Sequence, residues 1–432
     1  MPDIQFCMKC DVLVLGAGIA GLSAARTLAA QGKTVAVLEA RSRIGGRIFS
    51  QHQQGFALPV ELGAEFIHGR PPELWQLIAE AHLDAYELDG DILCFEQNAL
   101  RECGEAPNGF DLMRELPQEG PDQSFAEWIA QKNLTGPVAE SAIAFVEGFN
   151  AADASRIGIA ALRKQQDAED AIEGHLAFRI RDGYTALPAF LLSEFQRAGG
   201  EIFLSTVANS VEWQQGRVRI RAVQQGQDHL FEAAQCVITV PLGVLQTGSI
   251  HFDPAPASTL HAAAQMAMGS AKRATFLFRE RFWQTQFPNA HFLFSQHDLP
   301  RVWWAPSPDA TPMLTGWVGG PKALDAAVLY DQTFAEAGLK ALARIFSVPE
   351  KHLRELLVSW HTHDWHRDPF SLGAYSYAPT GASDASEKMA QPVEKTLFFA
   401  GEHTDTTGHW GTVHGALVSG LRAARQIFTG QP

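Results

Sequence analysis

The sequence predicts an α/β fold in two domains, and three stretches predict it. An apolar run over 12–15 enters the glycine-rich turn Gly16-Ala-Gly18-Ile-Ala-Gly21, which opens a helical stretch over 19–31. A second apolar run over 35–38 ends in Glu39-Ala40-Arg41, and near the far end Phe398-Phe-Ala-Gly401-Glu402 leads into a last helix. Strand, glycine turn, helix and strand in this order form a βαβ unit with parallel strands.

Each residue type in the first stretch has a physical job. Gly16 permits the tight turn, Gly18 removes a side chain where a pyrophosphate must approach a helix N-terminus, and Gly21 lets the helix lie close on its strand. Glu39 closes the second strand, where a carboxylate accepts hydrogen bonds from an adenosine ribose. Just beyond, Ile44-Gly45-Gly46-Arg47 offers backbone amides and a guanidinium to the same pyrophosphate.

A third piece of the same domain lies mid-chain. Asp182-Gly183-Tyr184 precedes a helix over 186–197 and a strand-like run over 201–207, and alternation over 211–213 and 217–221 reads as a hairpin through Gln215-Gly216. The first domain is therefore expected over 1–75, 181–269 and 385–432, and the second, α+β, over 76–180 and 270–384. Helices over 125–132, 138–147 and 331–346 and a strand over 274–278 belong to the second.

Composition sets limits. With 432 residues, 46% hydrophobic and 19% charged, the chain is long for a single core and has a globular balance. It has no apolar window of the roughly 18 residues that cross a membrane, and its first residues lack a secretory apolar region, so no membrane association and a cytoplasmic location are expected. A net charge of −14 argues against a nucleic-acid surface and suits a cationic small molecule as well as it suits solubility. Five scattered cysteines give no disulfide framework and read as reduced; Cys7 and Cys10 form a lone CxxC without further ligands. His361, His363 and His366 lie close in sequence, but a loop position beside Trp365 speaks against a metal, and none is expected.

Five ordered segments carry a resemblance. They are the glycine turn with Gly45-Gly46-Arg47; Val60-Glu61-Leu-Gly63-Ala64-Glu65-Phe-Ile-His68; Val237-Ile-Thr-Val-Pro241; Met268-Gly-Ser-Ala-Lys272 with Phe282-Trp283; and Trp365 through Asp368-Pro369 to Gly373-Ala374-Tyr375-Ser376. Together with Gly401-Glu402 and Gly411-Thr412-Val413, the chain resembles the flavin amine oxidases, a group of monoamine, polyamine and L-amino-acid oxidases and lysine-specific histone demethylases.

That resemblance implies a Rossmann-like FAD-binding fold of the glutathione-reductase type. It implies that Gly16, Gly18, Gly21, Glu39, Ala40, Arg41, Gly46, Arg47, Gly63, Ala64, Glu65, Val207, Trp365, Gly401, Glu402, Thr412 and Val413 hold FAD. Lys272 would be the lysine that holds a water at flavin N5, and Tyr375 the aromatic wall confining the amine; His68, Trp410 and Thr412 would border the substrate. Ala374 stands where monoamine oxidases bond FAD through cysteine, so the cofactor is expected to be noncovalent. The implied partners are a small-molecule amine and O2, in a monomer or homodimer. Two further readings stay open: an FAD dehydrogenase or desaturase of the protoporphyrinogen oxidase type, and a flavoprotein scaffold of low turnover.

Overall fold

The structure, a computed structural model, describes residues 5–103, 112–295, 298–325 and 330–430, with side chains from residue 8 onward. Its first sheet gathers strands from both ends and the middle of the chain. Gln5–Leu15 lies between Val35–Leu38 and Gln227–Ile238, parallel to both; Glu201–Phe203 extends the sheet beyond Val35–Leu38, and Leu397–Phe399 pairs parallel with the end of Gln227–Ile238.

Period-two alternation sorts this sheet into two faces. Val12, Val14, Val35 and Val37 pack against the helices Ile19–Ala30, Ala186–Arg197 and Val413–Thr429. Leu13, Leu15, Ala36 and Leu38 point the other way, into a core shared with the antiparallel strands Thr206–Gln214 and Arg217–Gln224. The hairpin between those two strands turns at Gln215 and Gly216, with Gln214 opposite Arg217.

The glycine turn is sterically tight. Gly16 has φ of +103°, and a Cβ there would stand 2.6 Å from Thr239 Oγ1. A Cβ on Gly21 would lie 2.0 Å from the Gly16 carbonyl oxygen, so the first helix reaches its depth only because residue 21 has no side chain.

A second, seven-stranded sheet runs in the order Leu357–His361, Ala271–Phe278, Met313–Gly319, Val302–Trp304, Ala290–Ser295, Asp91–Glu96 and Ala99–Glu102. Its pairs are antiparallel except Ala290–Ser295 with Asp91–Glu96. The helix Asp331–Ile345 covers one face through Phe334, Leu339 and Leu342. Helices Phe125–Gln131, Pro137–Asn150 and Ile159–Ala171 build a separate core with Ile157 and Tyr377.

The reading of the cysteines needs correction. Cys94 and Cys103 are joined in a disulfide, because a short hairpin that sets Cys94 opposite Arg101 brings the Cα of Cys103, two residues farther on, to 5.0 Å from that of Cys94. An odd total does not exclude one pair. Cys10 and Cys236 are free and buried, and the side chain of Cys7 lies outside the described residues. Among the described residues no helix is long and apolar enough to cross a membrane.

The contact at Gly21 yields a test. Gly21→Ala should destabilise the protein by about 1–3 kcal/mol through overpacking, seen as a lower midpoint in thermal unfolding; an unchanged midpoint would mean that the helix can retreat from its strand.

Candidate active site and cofactor cradle

One cavity of about 1670 Å³ runs along the seam between the two sheets. Of the residues implicated by sequence, all but Gly21 and Lys272 lie on its wall. Gly21 is inside the first helix, where its role is packing.

One end of the cavity has the chemistry of a dinucleotide cradle. The helix Ile19–Ala30 begins at Gly18 with no side-chain cap and no acidic residue in its first turn, so its positive end is uncompensated. A Cβ placed on Gly18 would meet nothing within 4 Å, leaving open the space in which a phosphate would sit. The Glu39 carboxylate is fixed by the Ala17 amide at 2.7 Å and the Arg41 amide at 2.8 Å, one to each oxygen, with lone pairs to spare for ribose hydroxyls. Arg43 Nη2 is buried nearby without a partner. These features fit FAD.

Farther along, the half-buried Arg47 pairs with the buried Glu402 at 2.9 Å. Arg47 also donates to the Ala374 carbonyl at 2.8 Å, while Glu402 Oε2 accepts from Ser376 Oγ at 2.6 Å and the Gly411 amide at 2.9 Å. Trp365 donates its indole N–H to the Leu62 carbonyl at 2.8 Å, which sets it beside Gly63. Gly63 itself is packed so closely that a Cβ would lie 1.8 Å from the Arg47 carbonyl. The last helix, Val413–Thr429, has Thr412 as N-cap, its hydroxyl accepting from the Gly415 amide at 3.0 Å, and no acid in its first turn. Thr412, Val413 and His414 bring that N-terminus to the cavity.

The structure does not place Lys272 where the resemblance put it. Lys272 points off the cavity toward helix Asp331–Ile345, paired with Asp331 and lying 3.6 Å from Asp364. Arg273, the next residue, stands on the wall instead. The cause is strand parity: Lys272 shares a face with Ala274, Phe276 and Phe278, which fill the core of the second sheet. Arg273 donates to the Gly63 carbonyl at 2.9 Å and to Glu65 Oε2 at 2.5 Å; Arg179 takes the other oxygen of Glu65 at 2.7 Å. Arg273 Nε is buried without a partner.

The other end of the cavity is aromatic. Tyr375 donates its hydroxyl to the Phe149 carbonyl at 2.7 Å and sets its ring against Gly411, where a Cβ would approach Tyr375 Cδ2 to 2.8 Å. His68 lies edge-on to Phe149, with ring centroids 5.6 Å apart, and burial pushes its imidazole below the ordinary value despite Glu169. Trp410 is buried and tied to the Asp405 carbonyl at 2.9 Å, presenting part of its ring to the cavity. Phe66, Phe149, Trp304 and Trp317 complete this wall, with Glu140, Glu147 and Glu169 among them. Sequence reading passed over this second group, since apart from Phe66 none belongs to a motif. For Arg273 a signal existed: with Phe276 and Phe278 assigned to a core, alternation turns residue 273 to the opposite face.

Comparison with known proteins points to one family. The family model described as flavin containing amine oxidoreductase matches residues 19–428. The chain is 29% identical to polyamine oxidase 3 of Oryza sativa subsp. japonica, over 96% of this chain and 88% of that protein. It is 26% identical to the peroxisomal N(1)-acetyl-spermine/spermidine oxidase of Bos taurus, over 97% and 94%. Its fold superposes on wild-type putrescine oxidase bound to putrescine with a TM-score of 0.81 at 20% identity, covering 98% of this chain and 99% of the other.

The two buried carboxylates give an acid-side expectation. Burial alone would raise both, but Arg47, His403 and Ser376 hold Glu402 below the usual glutamate value, and Arg179 and Arg273 do so for Glu65. A depressed carboxyl contributes stability above its unfolded value and loses it as pH falls through the folded one. Thermal stability should therefore drop on acidification below about pH 4.3, the unfolded glutamate value, and Glu402→Gln should show a shallower drop. A wild-type midpoint that does not move between pH 6 and about pH 3 would contradict this.

Proposed function

The chain belongs to the flavin-containing amine oxidoreductase family, and from that premise we propose that it oxidises a polyamine or diamine, with O2 as electron acceptor. FAD, when bound, would supply the electron sink for oxidation at the carbon next to the amine nitrogen, with O2 as final acceptor and hydrogen peroxide as product. The imine product is released and hydrolysed by water to a carbonyl compound and the smaller amine or ammonia.

The protein's contribution is binding, orientation and charge. Gly18, Glu39, Arg47, Glu402 and the N-terminus at Thr412 would hold the cofactor, each presenting the donor, acceptor or open space already described. Ala374 offers no nucleophile, so nothing at that position bonds the cofactor covalently. Tyr375 confines the amine from the aromatic side, its ring fixed by the Phe149 carbonyl and backed by Gly411. An aromatic face also attracts an ammonium before it gives up its proton.

The observation that carries the substrate class is the make-up of the outer wall. Phe149, Trp304 and Trp317 line the cavity together with Glu140 and Glu147. Methylene chains suit the rings, and a second ammonium along the chain suits a carboxylate. Lys322 and Arg301 stand near Glu147 on the same wall, so these carboxyl groups are offset in part before any amine enters. The polyamine and N-acetylated polyamine oxidases among the relatives support the same class.

Arg273 takes the wall position beside Gly63 and Glu65. With Arg179 it sets two cations against one carboxylate, so this edge of the site favours a gain of negative charge. Unlike a lysine, a guanidinium keeps its proton throughout the working pH range.

Two experiments test this reading. Mixing the yellow holoenzyme anaerobically with putrescine, spermidine, spermine, acetylated polyamines and tyramine should bleach the flavin fastest with a diamine or polyamine, and air should restore the colour with peroxide release. Failure of every amine to bleach a fully loaded enzyme would overturn it. Separately, Arg273→Met should lower the flavin reduction potential and slow reoxidation by about tenfold or more, with Arg273→Lys restoring much of both; equal potentials in all three proteins would remove Arg273 from this role.

A further inference from the structure

We propose that Glu169, His409 and His414 form a site for a divalent transition-metal ion of the zinc type on the wall of the cavity. Glu169 comes from helix Ile159–Ala171, His409 from the loop after Glu402–Thr404, and His414 from the first turn of Val413–Thr429. One ligand atom from each lies within 4.8 Å of the other two.

Two independent observations point to a ligand. His414 is 3% exposed, and its Nε2 is buried with no hydrogen-bond partner. His409 Nδ1 is likewise buried without a partner, and Glu169 Oε1 faces it at 3.7 Å, too far for a hydrogen bond. The two imidazoles meet edge to face with centroids 4.5 Å apart. Leaving two ring nitrogens buried and unpaired is costly, and a cation satisfies both lone pairs at once.

The loop carrying His409 is held in advance. Asp405 Oδ1 accepts from the amides of Thr407, Gly408 and His409, each at 2.9 Å, and Thr412 donates to the His409 carbonyl at 2.7 Å. His414 is fixed by its helix, so Glu169, with the longest and most flexible side chain, is the one that moves. Metal–ligand bonds of about 2.0–2.1 Å place tetrahedral ligands roughly 3.3 Å apart, which is a closure of an ångström or so. Two imidazoles and one carboxylate leave a fourth position open. Glu169 and His414 both line the cavity, so that position faces the space into which the amine enters.

The other histidine group does not compete. His363 is taken by Asp368 at 2.9 Å and His361 by Ser359 at 2.9 Å.

The test uses the purified FAD-loaded enzyme after chelator treatment. Titration with Zn2+ by calorimetry should give one ion per chain, and Cu2+ in its place should show nitrogen hyperfine structure from two imidazoles in electron paramagnetic resonance. Glu169→Gln and His409→Asn should each weaken Zn2+ by about tenfold or more while retaining FAD absorbance, which shows that they fold. Variants that bind Zn2+ as the wild type does would overturn the proposal. So would a wild-type Cu2+ signal without nitrogen coupling.

Discussion

The pairing of Arg47 with Glu402 is the constraint on which the rest of the site depends. It joins residues 355 apart in sequence, one following the first glycine turn and the other preceding the last helix. An ion pair with a buried carboxylate is weak support for a fold unless its remaining hydrogen-bonding capacity is filled. Here Arg47 also takes the Ala374 carbonyl, and Glu402 takes Ser376 and the Gly411 amide. One carboxylate thereby fixes the segment carrying Tyr375 against the loop carrying Thr412, and one guanidinium ties both to the N-terminal half. The cofactor cradle and the aromatic wall are set relative to each other by that single cluster.

A second buried cluster sets the electrostatics. Glu65 lies between Arg179 and Arg273, and all three are nearly inaccessible. Glu61, close by, accepts from Ser50 Oγ at 2.7 Å and the Tyr184 amide at 2.8 Å, and burial pushes its carboxyl upward against the pull of Arg179. Two guanidinium groups thus meet at the Glu65 carboxylate. In a low-dielectric interior this acts on any group that gains an electron pair there, and it acts without reorganisation because each guanidinium is already held by carbonyl or carboxylate oxygens.

The parts of this architecture legible in the sequence are those in which one residue type answers one steric or periodic demand. Gly16, Gly18 and Gly21 could be read as a turn because each lacks a side chain for a separate reason, and the helix over 186–197 and the hairpin at Gln215-Gly216 follow from local period and turn chemistry. Lys272 shows where such reading fails. A motif places a residue along the chain, but in a strand a slip of one position reverses the face, and the side chain exchanges the cavity for the opposite core. The disulfide between Cys94 and Cys103 failed to appear for a related reason: a count of cysteines carries no information on which hairpin brings two of them together.

The remainder of the cavity was out of reach because its walls are assembled across the seam. Phe149 comes from one helix, Trp304 and Trp317 from two strands of the second sheet, and His414 from the last helix, which packs on the first sheet. No two of these elements have local periods that depend on each other, so nothing short of the tertiary packing brings their side chains together. The same arrangement separates two tasks. Glycines, Glu39 and the Arg47–Glu402 cluster answer to a cofactor of fixed shape, whereas the aromatic and acidic positions sit on elements whose own cores lie elsewhere. Those positions can change without disturbing the cradle, so the two sets of residues are free to vary separately.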